Sequence, residues 1–541
     1  MSHEGKELWN KYCSFLYEDF QKQVEYNRKK MGEYFKMLKN TLLLEALKAK
    51  EAEKIKQVPV TTYDDYFFLK AFGERVRELE VTTPKKKGET LVEYYTRIGR
   101  IAAEPIRNYL PGEFECFVKT SGTTGQSKWI VHTELLRNIA ADVAMTVLVI
   151  ACSERAGDTA LRLGETVLNI VAPAPYVSGW SLYYLQEINK FKIYPPFRIT
   201  DRVSDIRRRM LMIMKEVDRM KGKIAILAAV ASMLYLLIKY ITDRYSFYKD
   251  YAESLNIGLT KLYVFSKLIQ TKLFWEPKDI REILPAKGII CTGYDSKIYD
   301  KLFRRNFGVI PLNIYGSSEF IIPMYGTVEN KYQLVLDLRT GYFEFLDVES
   351  GDILDIDELK KGRSYSLIGT PFGSSLVRYR IGDIFKVEDF RDDGMPFFSF
   401  EGREGNHLDV YGYFRITESL AIRVMTKTDL ISSDKWCFAK LLDPSEHICV
   451  LMEKELEVDE ETASERIFKT LLEESEDFRN FVKDFRIRNP ENIIKVEYLR
   501  KGAFKRYSDL RFKMGTPFGQ IKPPKIIPTE KMEIFETLRR I

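Results

Sequence analysis

A stretch of nine residues rich in glycine and hydroxyl side chains is the first feature of this sequence that could do chemistry: Thr120, Ser121, Gly122, Thr123, Thr124, Gly125, Gln126, Ser127 and Lys128. The glycines allow the backbone to turn tightly and to approach a ligand, while the hydroxyls, backbone N–H groups and lysine can donate to an anion. It differs from a Walker loop because no Gly-Lys-Ser/Thr sequence occurs in it. The stretch predicts a polyphosphate-binding loop; a Ser/Thr/Gly-rich surface turn is the alternative.

Two later clusters combine an acidic residue with glycine and an aromatic ring. Tyr315-Gly316-Ser317-Ser318-Glu319 follows an apolar run, and at the carboxyl end of a parallel strand it would lie where α/β folds bind nucleotides. Tyr315 could stack on a base, Gly316 permits close backbone approach, and Glu319 could hold Mg²⁺. In Tyr379-Arg380-Ile381-Gly382-Asp383, the carboxylate could bind both hydroxyls of a ribose. Taken singly, Glu319 is more simply interpreted as a charge at a helix N-terminus, and Asp383 as an acidic residue in a turn.

The elements around these clusters predict an α/β body. The loop is expected to join a strand, Phe114–Val118, to a helix, Glu134–Val149. Between residues 114 and 403 strand-like and helix-length segments alternate, which predicts a mostly parallel sheet covered by helices. The predicted buried strands are Val167–Ala172, Ile224–Ala229, Gly288–Cys291 and Val309–Ile314.

The two ends of the chain have a different pattern. Glu4 to Ile55 is charged and has helical periodicity, which predicts long helices. Hairpin-like segments with turn residues predict a β-rich subdomain at about 333–400. Beyond residue 404 the pattern predicts a compact α+β unit with a helix over Glu460 to Glu474. The expected division is a large N-terminal domain over 1–404 and a small C-terminal domain over 405–541.

Composition excludes several classes of function. A chain of 541 residues needs two or three domains, and a net charge of +6 on 84 basic and 78 acidic residues gives no case for a nucleic-acid partner. Six dispersed cysteines indicate reduced thiols in a cytoplasmic protein, and four histidines make a histidine-rich metal site improbable. The polar N-terminus has no signal peptide, and the apolar run Ile224–Ile238 is too short to span a bilayer, so no membrane insertion is expected. Many Lys, Glu, Arg and Tyr with eight Gln favour a thermophilic source.

The order and spacing of the three clusters resemble those of the adenylate-forming superfamily, which contains acyl-CoA synthetases, luciferases and peptide synthetase adenylation domains. Finer features resemble one branch, the Gretchen Hagen acyl acid-amido synthetases. These features are Val58–Tyr66, Thr292-Gly293 with Tyr299, Gly341–Leu346, Arg378–Val387, and Gly502-Ala503-Phe504 leading to Gly519–Lys525. Gly316, Ile521, Pro523 and Lys525 depart from the plant pattern, and these departures bear on the acceptor more than on adenylation.

The resemblance implies a fold and a two-step reaction. The fold is that of adenylate-forming enzymes, a large α/β domain with a small α+β domain. A carboxylate attacks the α-phosphate of ATP, giving an acyl adenylate and pyrophosphate, and an amine or amino acid then displaces AMP. The implied ATP site comprises the Thr120–Lys128 loop, Gly293, Tyr315, Gly316, Ser317, Ser318, Glu319, Asp383 and Arg403, with Mg²⁺ at Glu319. Ala231, Ser232 and Met233 would line the acyl pocket.

The resemblance also implies an adenylation lysine from the small domain. Lys522 matches the C-terminal family segment and is favoured, whereas Lys505 resembles the final lysine of aryl-CoA ligases. Residues Gly402 to Gly405 resemble the superfamily hinge, whose rotation would let one site serve both steps. Two alternatives remain: an acyl- or aryl-CoA ligase that uses coenzyme A as acceptor, and a regulatory nucleotide-binding protein without catalysis.

Overall fold

The structure is a computed structural model. It describes residues 3–541 with the exception of 121–127, 202–205, 254–258, 275, 277, 293–299, 405–406, 411–413, 442–445, 476–477, 480, 483–486, 488–489, 514–524 and 529–530. Its described helices are α1 His3–Tyr12, α2 Phe20–Lys39, α3 Leu43–Ala46, α4 Phe67–Thr82, α5 Leu91–Ala103, α6 Glu134–Ala151, α7 Val177–Glu187, α8 Phe197–Thr200, α9 Ile206–Arg219, α10 Ala231–Thr242, α11 Arg244–Glu253, α12 Leu259–Phe274, α13 Ile280–Ile283, α14 Asp300–Phe307, α15 Glu418–Thr428, α16 Glu460–Glu474, α17 Ala503–Lys513 and α18 Met532–Arg540.

The N-terminal helices form part of the main body. Helix α2 is amphipathic, and Asn27 on its buried side donates to the carbonyls of Leu338 and Gly341 at 2.6 and 2.8 Å. Tyr34 donates to the Ser374 carbonyl at 2.7 Å. The predicted helices over Glu4–Ile55 are therefore confirmed, and helix α2 contacts residues between 338 and 374.

A two-stranded antiparallel hairpin carries the predicted phosphate loop. Its strands are β1 Phe114–Lys119 and β2 Trp129–Thr133. The prediction that the loop runs directly from a strand into a helix is wrong, because strand β2 comes before helix α6. Aromatic and β-branched residues dominate β2 and all five of its residues are buried, which favours a strand over an earlier helix start.

A seven-stranded sheet forms the centre of the α/β body, in the order β4-β3-β5-β6-β7-β8-β9. The first five strands in this order pair in parallel, whereas the β7–β8 and β8–β9 pairs are antiparallel, so the mostly parallel sheet is confirmed. The chain moves outward from β3 to β4 and then crosses to β5 on the other side of β3, which creates a topological switch point between β3 and β5. The strands are β3 Thr166–Asn169, β4 Lys192–Tyr194, β5 Ile226–Val230, β6 Gly288–Thr292, β7 Leu312–Ser317, β8 Ile321–Tyr325 and β9 Val335–Leu336.

The predicted β-rich segment forms a five-stranded antiparallel sheet in the order β11-β10-β12-β13-β14. Its strands are β10 Gly341–Asp347, β11 Ile353–Leu354, β12 Ser364–Pro371, β13 Tyr379–Phe390 and β14 Pro396–Arg403. At the start of the predicted β-rich segment, strand β9 covers only Val335–Leu336, and it pairs with β8 at the edge of the central sheet and not with the five-stranded sheet. The sheet extends to Arg403, so strands β13 and β14 carry Asp383 and Arg403 side by side.

After residue 404 the chain forms separate sheets. Strands β15 His407–Val410 and β16 Phe414–Thr417 pair with each other, and β19-β18-β17-β20 form a four-stranded sheet. The latter strands are β17 Trp436–Leu441, β18 His447–Glu453, β19 Ile494–Leu499 and β20 Ile526–Ile527. The predicted α+β pattern is confirmed here, while the division at residue 404 stays a prediction.

Apolar packing accounts for the long apolar run at 224–238. Leu227, Leu234, Leu237 and their neighbours are buried in one cluster between the central sheet and its helices. None of the helices in the described ranges combines the length and apolar content that crossing a bilayer requires. All six cysteines are buried and none forms a disulfide bond.

Candidate functional site

The ends of the predicted phosphate loop are closed by two hydrogen bonds. The Lys128 N–H donates to Oγ1 of Thr120 at 2.8 Å, and the Thr120 N–H donates to the Lys128 carbonyl at 2.9 Å. Five predicted ligands of this loop lie outside the described residues, as do Gln126 and Ser127; the five are Ser121, Gly122, Thr123, Thr124 and Gly125. The hairpin therefore fixes where the loop begins and ends, and it places Lys128 at the base.

Lys128 reaches across to the β-rich sheet. Its Nζ donates to the Tyr379 hydroxyl at 3.1 Å and lies 5.7 Å from the ring centroid of Tyr63. Partial burial lowers the pKa of Lys128, while the nearby carboxylates of Glu319 and Asp383 oppose that shift. The Lys128 ammonium group therefore lies near the acidic residues of both later clusters, Glu319 and Asp383.

Asp383 is the centre of a hydrogen-bonded triad. One carboxylate oxygen accepts from the Tyr315 hydroxyl at 2.5 Å, and the other accepts from Nε of Arg403 at 2.6 Å. Burial and the adjacent Asp383 raise the pKa of Tyr315 well above its usual range, so its hydroxyl keeps its hydrogen and donates it. The Asp383 carboxylate raises the pKa of Arg403. Residues from strands β7, β13 and β14 are thus joined at one point.

The Tyr315 ring lies in an aromatic cluster. It is edge-on to Phe385 at 4.9 Å and stacks on Phe400 at 6.1 Å between centroids. Strand β7 continues through Ser317, so Tyr315 lies within the strand and is not in the turn that follows it. Gly316 is exposed beside it, and a Cβ there would lie 3.2 Å from the Ile321 carbonyl oxygen.

Glu319 lies in the turn between antiparallel strands β7 and β8, so the helix-terminal interpretation of its charge does not apply. The residue is 7% exposed, and burial raises the pKa of its carboxyl group. Arg403 and Lys128 oppose this rise, and Asp383 adds to it, so these four groups share one electrostatic environment. Among the residues that the structure describes, no other side chain donates a hydrogen bond to Glu319. In the same turn, Oγ of Ser317 accepts from the Phe320 N–H at 3.1 Å.

His132, which the sequence reasoning did not select, connects the hairpin to this turn. Its Nε2 lies 2.8 Å from the carbonyl oxygen of Ser318, and its Nδ1 faces Sγ of Cys116 at 4.0 Å. The imidazole is fully buried, and burial lowers the pKa of His132 to about 4. The sequence feature that could have indicated His132 is its position as a lone histidine in an apolar segment directly after the predicted phosphate loop.

Three of the segments that carry the family resemblance meet at Arg378. Its guanidinium donates to both carboxylate oxygens of Glu344 at 2.7 and 2.8 Å and to the carbonyls of Lys56 and Val58 at 3.1 and 2.6 Å. The Thr61 N–H donates to the Arg378 carbonyl at 2.9 Å. The side chains of Arg378 and Glu344 are only 9% and 2% exposed. The pair therefore fixes the strand that carries Tyr379 and Asp383.

The predicted acyl-pocket segment follows β5 at the switch point of the central sheet. Helix α10 begins at Ala231, directly after the strand ends at Val230. The side chains of Ala231 and Ser232 are not among those described, and Met233 is buried in the apolar cluster under the sheet.

Three predicted site residues remain: Gly293 of the ATP site and the two candidate adenylation lysines, Lys522 and Lys505. Gly293 and Lys522 lie outside the described residues. Lys505 is on helix α17, whose Phe504 belongs to the small core formed with strands β17 and β18. No described contact joins Lys505 to Lys128, Glu319 or Asp383.

Comparison with known proteins shows which proteins parts of this chain resemble. Residues 334–403 match the model of the GH3 family central domain. The probable indole-3-acetic acid-amido synthetase GH3.7 of Oryza sativa subsp. japonica is 28% identical over 231 residues, which is 36% of each chain. The jasmonoyl--L-amino acid synthetase JAR4 of Nicotiana attenuata is 26% identical over 259 residues, or 44% of each chain. The matched regions thus span less than half of these curated relatives.

The fold is similar over a longer part of the chain. A solved structure of the GH3.15 acyl acid amido synthetase superposes with a TM-score of 0.63 at 18% identity, covering 99% of this chain and 94% of that one. A second, in complex with 2,4-DB, gives 0.62 at 18% identity over 94% and 93% of the two chains. The predicted α/β fold is therefore confirmed as the fold of these solved acyl acid amido synthetase structures.

Proposed function

We propose that this protein is an AMP-forming ligase that adenylates a carboxylic acid with ATP and transfers the acyl group to an amine or amino acid. The observation that carries the proposal is the convergence of Lys128, Glu319, Asp383 and Arg403, from four separate elements, on one hydrogen-bonded and electrostatically coupled site. The names of the plant relatives, which are amido synthetases, support the same reaction class.

The first step brings two anions together, so the phosphates need cations and oriented donors. Lys128 would bind the phosphates from the base of the hairpin loop, with Thr120 and the loop backbone as further donors. Asp383 would accept the ribose hydroxyls. Both of its oxygens are already bonded, so a ribose would replace the Tyr315 hydroxyl while Arg403 keeps the carboxylate oriented. Tyr315, with its ring against Phe385 and Phe400, would form the wall beside the base.

Glu319 is the residue that would hold Mg²⁺. Its buried carboxylate receives no side-chain donor among the described residues, and oxygen ligands suit this hard cation. Asp383 is a poorer ligand because Tyr315 and Arg403 occupy its oxygens. When bound, the ion would neutralise phosphate charge and favour departure of pyrophosphate. The chain's own part is to place the cationic side chains of Lys128 and Arg403 near the Glu319 carboxylate and to hold its turn in place.

The acid would bind at the switch point between β3 and β5, where open α/β sheets bind ligands. Ile170 and Ala174 follow β3, and Ala231, Ser232 and Met233 follow β5. These small and apolar residues favour an acid with an apolar body. Ser232 is the one member of this set with a hydroxyl.

The small domain would supply the adenylation lysine, and we favour Lys522 over Lys505. Rotation at residues 402–405 would exchange the face that the small domain presents between the two steps. Glu404 lies at this point and accepts from Nε of Arg380 at 2.9 Å, and its N–H donates to the Gly382 carbonyl at 2.8 Å. These contacts tie the proposed hinge to the strand that carries Asp383.

Pyrophosphate release tests the proposal. The protein is mixed with ATP, Mg²⁺ and a panel of aliphatic, aryl and indolyl carboxylic acids, and pyrophosphate is followed alone, with pooled amino acids and with coenzyme A. We expect acid-dependent release that amino acids accelerate, with an amide as the product. Acceleration by coenzyme A alone would show that the protein forms a thioester and not an amide. No release with any acid would favour a regulatory nucleotide-binding protein.

A further inference from the structure

The two halves of the nucleotide site come from distant parts of the chain and must be held in register. Strand β2 follows Lys128 at the base of the phosphate loop, and Ser318 precedes Glu319 in the β7–β8 turn. The His132–Ser318 contact links these elements directly across 186 positions of sequence.

The chemistry of this contact specifies which nitrogen carries the hydrogen. A carbonyl oxygen can only accept, so Nε2 of His132 must be the donor at 2.8 Å. Nδ1 then remains an acceptor and faces the Cys116 thiol at 4.0 Å. Cys116 in turn lies 3.1 Å from the Tyr184 hydroxyl. A buried cysteine and a buried tyrosine thus support the imidazole from the side opposite to Ser318.

We propose that His132 is a positioning residue that sets the turn carrying Glu319 relative to the phosphate loop through its Nε2–H bond to the Ser318 carbonyl. This inference rests on the proposed function only for its kinetic consequence. The bond does not touch ATP, and it acts by fixing the backbone from which Glu319 projects. Loss of the bond would leave a carbonyl without a donor and allow the turn to shift, and angstrom-scale misplacement is costly in catalysis.

Matched substitutions separate positioning from packing. His132→Leu removes the donor, whereas His132→Gln retains an amide N–H that can reach the Ser318 carbonyl. Cys116→Ala is the control, because it disturbs packing on the far side of the ring and leaves the donor in place. The measurements are kcat, KM for ATP and KM for the acid in pyrophosphate release, together with the thermal midpoint of each variant.

We expect His132→Leu to lower kcat/KM for ATP by about ten- to a hundredfold, equivalent to the loss of one well-placed buried hydrogen bond. The KM for the acid should change by less than about twofold because the switch-point pocket is not touched. His132→Gln should restore most of the activity, and Cys116→Ala should keep it while its thermal midpoint falls as far as that of His132→Leu. If activity instead follows the thermal midpoint across all three variants, or if glutamine restores nothing, the positioning role is refuted.

A second measurement on the wild-type protein does not depend on the reaction. ¹⁵N-labelled histidine spectra, assigned with the His132 variants, report which ring nitrogen is protonated. We expect the Nε2–H tautomer for His132. The Nδ1–H tautomer would overturn the inference even in an active enzyme. Absence of pyrophosphate release with the Nε2–H tautomer present would refute the proposed function and leave the structural bond standing.

Discussion

Replacing Arg378 with lysine should selectively loosen the sheet that carries Asp383. The guanidinium makes two bonds to Glu344 and two to backbone carbonyls of the 56–58 segment. An ammonium is a point donor and cannot span both groups, so either the buried carboxylate or the two carbonyls lose their partner. Breaking one side of a buried ion pair costs about 3–5 kcal/mol, and each unsatisfied buried acceptor costs about 1–3 kcal/mol. We therefore expect Arg378→Lys to lower the local stability of strands β12 and β13 by roughly 3–5 kcal/mol.

Hydrogen–deuterium exchange is the suitable assay because it reports the opening of individual strands. A loss of that size should speed exchange in peptides from 364–371 and 379–390 by about a hundred- to a few thousandfold. Arg363→Lys is the matched control on the same sheet, since Arg363 is 31% exposed and its pairs with Asp347 and Glu349 lie nearer to solvent. The control should change exchange by about tenfold or less. Equal effects of the two variants, or less than tenfold acceleration in Arg378→Lys, would refute the assigned role of the buried pair.

Four further predictions concern the site and the origin of the protein. Asp383→Asn should raise KM for ATP by about tenfold or more in the pyrophosphate assay, because the amide loses the ion pair with Arg403; an unchanged KM would contradict the ribose assignment. Lys128→Met should lower kcat by about a hundredfold with little change in thermal midpoint, and a large loss of stability without loss of kcat would contradict its role. The folded pKa of His132, about 4, lies below the usual value of about 6.5, so its contribution to stability is complete above pH 6.5 and is lost as the pH falls toward 4, by up to about 3 kcal/mol. His132→Gln should remove this loss of unfolding free energy between pH 6.5 and pH 4 in urea-denaturation measurements, and an unchanged pH dependence in the variant would contradict the prediction. A thermophilic source predicts a thermal midpoint above about 80 °C, and calorimetry checks it.

Several elements were predictable from local sequence because local interactions determine them. The helix Glu460–Glu474 was predicted with its observed bounds, and its start is fixed by Asp459, whose carboxylate accepts from the Thr462 N–H at 2.7 Å. Four of the five parallel strands of the central sheet are short apolar runs that the sequence predicts within a few residues, whereas the three-residue strand β4, Lys192–Tyr194, is not predicted. The pairing of Asp383 with Tyr315 had no local signal, since it joins residues 68 positions apart.

The hairpin was missed for a physical reason. Trp129–Thr133 is only five residues long, follows a polar loop and leads directly into helix α6, so no separate strand is predicted there from the sequence. Its register against Phe114–Lys119 is a tertiary property, and so is the His132 contact that this register creates. The contacts of Arg378 likewise depend on a fold that brings residues 56–58, 344 and 378 together. The spacing of the motifs in the sequence could indicate which segments form the site, but it could not show which side chains connect those segments.

The central claim is that separate segments of the large domain converge on one ATP molecule and present its α-phosphate to an acid. A crystal structure with ATP, Mg²⁺ and a non-reactive analogue of the acid tests this claim most directly. We predict the ribose against Asp383, the phosphates between Thr120 and Lys128, and the metal at Glu319. Nucleotide density at another surface, with the Tyr315–Asp383–Arg403 triad unchanged, would contradict the account.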